Sequence, residues 1–198
     1  MEEKLLLAKL KDPEEIHRAF PILINLHKER LYWHIRRMVY RHEDADDLLQ
    51  DTFVKVYRNI DKFKEESSLF SWMYRIATNE TLTFLKKEAR IKKIDDNEFI
   101  EKRVQALEHD ELYTGDRISL MLQKAISILP EKQRLVFNMK YFEDLTYKQI
   151  SSILEQSEGG LKANYFHAVT KIKAYFKTRD WLDNTEILEL EKRENEKR

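Results

Sequence analysis

The sequence predicts an all-α fold: two small helical domains joined by a flexible linker, the second containing a helix-turn-helix. Three observations predict it. The 198 residues hold only 3 Gly and 3 Pro, whereas a many-stranded β fold needs a turn roughly every 8–12 residues. Leu, Lys and Glu are the commonest residues, and all three are strong helix formers. Apolar residues recur at helical spacing in two stretches, with a region of weaker periodicity between them.

The formal net charge is zero, but its distribution is uneven. Residues 17–93 carry a net +5, residues 94–117 a net −5 and residues 118–179 a net +5. Two basic blocks flanking an acidic connector say more about partners than the total does. There is no Cys, so disulfides and thiolate zinc sites are excluded, and a reducing, cytoplasmic setting is expected. No run approaches the roughly 18 apolar residues of a membrane span, so membrane insertion is not expected. The charged start Met1-Glu2-Glu3-Lys4 does not read as a signal peptide.

In the first block, 17–93, a long helix is expected over 22–40, with Leu31, Ile35, Met38 and Val39 on one face. His42-Glu43-Asp44 should break it, with Asp44 as N-cap of a second helix running to about Ile60. Ala45, Leu49, Thr52, Phe53, Val56 and Ile60 form its apolar stripe, flanked by Leu48, Val54 and Tyr57. A polar loop follows over 61–68. Ser68 can cap a third helix from Leu69 to about Arg90, buried through Phe70, Met73, Ile76 or Ala77, Phe84 and Leu85. Residues 94–117 read as the linker.

In the second block, 118–179, Ile118, Met121, Leu122, Ala125 and Leu129 mark a helix stopped by Pro130. Leu135, Val136 and Met139 mark the next. Thr146 and Gln149 form a Thr-x-x-Gln capping box for a short helix over 147–154. Ser157 caps a last helix, whose stripe is Leu161, Tyr165, Ala168, Ile172 and Phe176. A short capped helix, a tight turn and a second capped helix make a helix-turn-helix.

Such a unit places the start of its second helix in the major groove. Off the core stripe lie Gly160, Lys162, Ala163, Asn164, Phe166 and His167. Lys162 suits phosphate or guanine, and Asn164 can bond an adenine edge at two points. Gly159 and Gly160 leave room for the sugar-phosphate backbone beside free helix amides. The bland alternative is a hairpin that only packs, with Phe166 in the core. On the third helix, Trp72, Arg75 and Asn79 fall at spacings of three and four. An aromatic, a cation and an amide on one face suit single-stranded DNA; the same spacing also fits a buried indole beside a solvated charge.

Taken in order, these segments resemble the extracytoplasmic-function (ECF) sigma factors of the sigma-70 superfamily. Asp44-Ala45-Asp46-Asp47-Leu48-Leu49-Gln50-Asp51-Thr52-Phe53, with Phe63 beyond, is similar to the family's Asp-Ala-Glu-Asp-Leu-x-Gln-Glu-x-Phe segment. Ser71-Trp72-Met73-Tyr74-Arg75-Ile76-Ala77-Thr78-Asn79 resembles its Trp-Leu-x-x-Ile-Ala-x-Asn run. Leu129-Pro130-Glu131-Lys132-Gln133-Arg134 with Tyr141, ahead of the helix-turn-helix, is the third match.

The resemblance implies a non-enzymatic factor that binds core RNA polymerase and promoter DNA, without cofactor or metal. It implies that 17–93 is region 2 and 118–179 is region 4. Asp44, Asp47, Leu48, Gln50, Asp51 and Phe53 would dock on the clamp helices of the largest polymerase subunit. Phe63, Ser67, Trp72, Arg75 and Asn79 would open and hold the −10 element. Thr146, Gly159, Gly160, Lys162, Ala163, Asn164, Phe166 and His167 would read −35, with region 4 on the polymerase flap. An anti-sigma factor is an expected partner. The chain departs from the pattern at Glu155, where the turn often has Gly, at Ser151, where Ala is common, and in a recognition helix poor in arginine. A DNA-binding regulator without a melting role is the alternative. An enzyme is disfavoured: none of the six His forms a His-x-x-x-His pair or His-Glu-x-x-His helix.

Overall fold

The computed structural model describes residues 3–39, 41–92 and 117–178, and every regular element among them is helical. In order these are α1 (Glu3–Lys11), α2 (Ile16–Arg36), α3 (His42–Asn59), a 3₁₀ turn (Ile60–Lys62), α4 (Leu69–Lys92), α5 (Arg117–Ser127), α6 (Glu131–Tyr141), α7 (Tyr147–Leu154) and α8 (Glu158–Lys177). The expected linker lies outside the described residues up to its last position, where α5 begins.

Helix α1 buries Leu6, Leu7 and Leu10 against its neighbours. The chain then turns at Asp12, whose Oδ1 accepts from the Glu14 amide and whose carbonyl accepts from the Ile16 amide. That turn launches α2 six residues before the expected start at Ile22. Pro21 sits inside the helix and sacrifices one backbone bond, a loss the burial of Ala19 and Leu23 on either side offsets. Helix α3 also begins early: Arg41 is the N-cap and makes no side-chain capping bond, so Asp44 lies in the first turn instead of capping it. Leu49 is only half-buried, while its neighbour Leu48 is buried. Ser68 does cap α4, its hydroxyl accepting from the Ser71 amide at 3.1 Å.

The second segment follows its sequence signals closely, except that Ile118 is exposed. The Thr146 hydroxyl accepts from the Gln149 amide, and the Gln149 side-chain oxygen accepts from the Thr146 amide at 2.9 Å, which completes the capping box. Ser157 accepts from the Gly160 amide to cap α8. Between the two helices Glu155 takes a left-handed conformation, φ 53°, a strain of about 1–2 kcal/mol for a residue with a side chain. Ser151 donates to the Gln156 carbonyl at 2.6 Å, tying α7 to this turn.

The two segments do not keep separate cores. Leu31, Ile35, Met73 and Tyr74 from the first segment share one apolar cluster with Val136, Met139, Leu145, Ile150, Ile153 and Leu161 from the second. Helix α7 packs against α4. The far side of the second segment has its own cluster around Met121, Ala125, Phe137, Ala168, Ile172 and Phe176. Where the two segments meet, the buried Glu143 side chain accepts from Arg37 and, at 3.1 Å, from the Tyr74 hydroxyl. Arg30 donates to the Glu143 carbonyl at 3.3 Å. Burial, with the Glu143 carboxylate beside it, holds the Tyr74 phenol protonated far into the alkaline range.

His34 lies beneath this junction. Thr78 donates to the Tyr74 carbonyl, so the Thr78 oxygen accepts from the His34 Nε2–H at 2.9 Å. Nδ1 is then a bare, buried acceptor without a partner. Protonating it would create an N–H with nowhere to donate. Burial first, and the Arg37 charge second, lower the imidazole pKa to about 3 from 6.5. The unfolded chain binds this proton below pH 6.5 and the folded chain does not, so stability is full above that pH and falls below it. A loss of about 2 kcal/mol is expected between pH 7.5 and pH 5. Urea unfolding at the two pH values checks this, with His34→Gln expected to flatten the dependence; a wild type with equal stability at both would refute it.

Candidate polymerase and nucleic-acid interfaces

The outer face of α3 is acidic and apolar at once. Asp47, Gln50 and Asp51 are exposed and Asp44 is half-buried. Val54 and Tyr57 continue the same face at helical spacing, 45% and 38% exposed. These two were assigned only to the flank of the apolar stripe. Their signal was the surplus of apolar residues on α3, more than one buried stripe can hold. Leu48 and Phe53, by contrast, are 6% and 7% exposed and face inward; Phe53 meets Phe20 edge-on at 6.3 Å. They pack behind this outer face and do not form part of it.

Elsewhere on the first segment, Trp72, Arg75 and Asn79 line one cleft of about 350 Å³. Lys55, Asn59 and Lys62 from α3 and the 3₁₀ turn complete its walls, with Ile76 and Glu80. Sequence spacing could not find these three because they come from other elements. Glu80 pairs with Lys55, which leaves Lys62 and Arg75 as the cleft's other cations. Trp72 resolves the two readings of its spacing by serving both: it is half-buried against the core and also lines the cleft. Phe63 is 5% exposed and packs against Trp72 at 5.2 Å between ring centroids. The ring expected on the DNA surface thus lies inward, behind Trp72. Ser67 is half-buried, beside the capping Ser68.

An indole face, three cations and two amides around an open cleft can stack a base, hold phosphate and bond base edges.

On the helix-turn-helix, Thr146, Gly159, Gly160, Lys162, Ala163 and His167 are all exposed, and Asn164 is half-buried. Phe166 is 59% exposed, so its placement in the core is rejected. A Cβ at Gly159 would meet open space; internal packing does not demand glycine there, which leaves the room for a close external approach. Tyr147 has Lys140 at 5.5 Å and Lys162 at 5.6 Å from its ring, a cationic cluster that adds Lys140 to the predicted set. Arg75 donates to Glu155 at 2.8 Å, so the cleft and the turn before α8 touch. Neither surface is buried in the shared core.

Two families of sequence match these two units: Sigma-70 region 2 over residues 23–91 and Sigma-70, region 4 over residues 119–172. Helices with an acidic outer face, a cationic aromatic cleft and a helix-turn-helix on one chain define a transcription initiation factor of the sigma type. The chain belongs to the ECF sigma factors of the sigma-70 family. It is 29% identical over 161 residues to the RNA polymerase sigma-H factor of Pseudomonas aeruginosa, covering 76% of this chain and 82% of that protein. It is 28% identical over 158 residues to the ECF RNA polymerase sigma factor SigW of Bacillus subtilis, covering 73% and 81%. Among solved structures, CnrH in complex with the cytosolic domain of CnrY shares the fold at a TM-score of 0.65 and 18% identity, over 89% of this chain and 97% of that one. The sigma factor RpoE bound to the anti-sigma factor NepR from Bartonella quintana gives 0.62 at 21% identity, over 80% and 96%. As a sigma factor the chain is not an enzyme; it binds core RNA polymerase and directs promoter recognition and initiation of transcription.

Proposed function

We propose that the work divides as follows. Residues 17–93 act as region 2, docking through the α3 face on the clamp helices and opening the −10 element in the cleft. Residues 118–179 act as region 4, reading −35 with α8 while resting on the polymerase flap. The acidic connector 94–117 spans the gap through polymerase. The protein works in the cytoplasm, and an anti-sigma factor binds it; the similar sigma factor RpoE is seen in complex with the anti-sigma factor NepR. No helix among the described residues is long and apolar enough to cross a membrane.

The observation that carries this reading is the cleft: Trp72, Arg75 and Asn79 share it with Lys55 and Lys62. Drawing a base from the stack costs a few kcal/mol, which a pocket of stacking and edge-bonding groups offsets. The α8 surface reads duplex more weakly, because few arginines mean few charged phosphate contacts. The shared core adds a condition. Two promoter elements lie some two turns of duplex apart, roughly 70 Å. Arg75 and Glu155 are in contact, so the units must separate before both elements are held.

Asn79→Ala tests the reading. Losing base-edge bonds worth about 1–3 kcal/mol should lower promoter opening roughly 5- to 100-fold, read by permanganate reactivity at −10. Affinity for core polymerase should stay within about twofold, since Asn79 is exposed and off the docking face. Equal loss of both would count against the cleft.

A further inference from the structure

We infer that helix α1 is a positioning element for the −10 cleft, bracing the loop 61–68 at two points so that Phe63 and Trp72 present the cleft in one geometry. This rests on the cleft being the −10 site. Helix α1 lies outside both family matches, which begin at residues 23 and 119, and the sequence alone assigned it nothing.

The brace has an anchor and two arms. The anchor is apolar: Leu6, Leu7 and Leu10 are 3%, 6% and 0% exposed, and α1 packs on both α2 and the 3₁₀ turn that opens the loop. The first arm is Glu3, whose Oε1 accepts from the Leu69 amide at 3.0 Å. That amide is one of the unpaired donors at the start of α4, the helix that carries Trp72, Arg75 and Asn79. A side chain 66 residues away thus helps cap it, beside the local Ser68 cap. The second arm is Lys11, whose Nζ donates to Glu65 at 3.0 Å and lies 5.9 Å from the centroid of the Phe63 ring.

Glu65 needs holding. Its φ is 60°, a left-handed conformation that residues with side chains avoid. Left alone, the loop relaxes toward other backbone states. Lys11 favours the strained form through the Glu65 carboxylate and covers Phe63 from the same side. Phe63 in turn packs on Trp72, a wall of the cleft. The chain of contact therefore runs from α1 through Glu65 and Phe63 to the surface that stacks a base. Neither Glu3 nor Lys11 lines the cleft; both act through other residues.

A charge swap in the full-length protein bound to core polymerase tests this. Lys11→Glu and Glu65→Lys each place like charges together, and each should lower −10 opening about three- to fivefold. Core-polymerase affinity should be unchanged, because both residues lie off the α3 face. The double variant Lys11→Glu/Glu65→Lys restores opposite charges and should recover opening to within about twofold of wild type, which a general loss of folding would not do. Asn79→Ala run alongside separates the two ideas. If Asn79→Ala impairs opening and the single swaps do not, the brace is wrong and the cleft reading stands. If the singles impair opening and the double fails to recover, the pairing is wrong. If none impairs opening, cleft and brace fall together.

Discussion

Glu143→Ala is expected to undock the second helical unit from the first. The carboxylate is 5% exposed and is shared by Arg37 and Tyr74. Removing it leaves a guanidinium 4.6 Å from the centroid of the Phe142 ring and takes the acceptor of the Tyr74 hydroxyl. Breaking a buried pair from one side costs about 3–5 kcal/mol, because the remaining charge stays dehydrated. Here the cost has an easy release. Arg37 caps the end of α2, Tyr74 stands on α4 and Glu143 follows α6, so separating the units would rehydrate every group. Val136, Met139, Leu145, Ile150 and Ile153 oppose separation through their burial in the shared cluster. Small-angle scattering should show a larger radius of gyration than wild type, while helical circular dichroism is kept. Glu143→Gln should give a milder change, since its amide oxygen still accepts from Tyr74. A variant as compact as wild type would refute the latch. Because the proposed division of roles requires separation, promoter activity should survive Glu143→Ala; its abolition together with the helical signal would mean simple unfolding.

How much of this was legible depends on where the information sits in the chain. Helix α7 and the start of α8 were readable to the residue because Thr146, Gln149 and Ser157 satisfy amides within three residues of themselves. The start of α2 was missed because Pro21 usually marks a boundary, and burial of Ala19 overrode that preference. Asp44 was misplaced as a cap for a related reason: acids suit both the cap and the first turn. In the site, Trp72, Arg75 and Asn79 were legible because they share one helix face. Lys55, Asn59 and Lys62 come from elsewhere and were not. A family motif also mixes contact residues with their supports. Spacing cannot separate Asp51, which is exposed, from Leu48, Phe53 and Phe63, which are buried. The Glu143 junction was out of reach, its partners lying 69 and 106 residues away.

Asp51→Arg should weaken binding to core polymerase at least tenfold, about 1.4 kcal/mol or more. Asp51 is exposed near the centre of the α3 face, with Asp47 and Gln50 toward one end and Val54 toward the other. The reversal changes the local charge by two units. On a basic partner surface it turns attraction into repulsion, a cost that reaches several kcal/mol once the contact excludes water. The fold should not feel it, since an exposed position away from caps and core shifts stability by about 0.5 kcal/mol at most. Salt then distinguishes the two halves of the face. The deficit of Asp51→Arg should shrink as salt rises from 0.05 to about 0.5 M, because screening weakens repulsion along with attraction. Val54→Ser should weaken binding by an amount nearly independent of salt, because its loss is of apolar burial. Fluorescence anisotropy of labelled protein against core polymerase reads both. Unchanged affinity for Asp51→Arg would mean that α3 does not dock. A salt-sensitive loss for Val54→Ser would mean that the apolar half of the face is not buried on docking and that charge alone holds the contact.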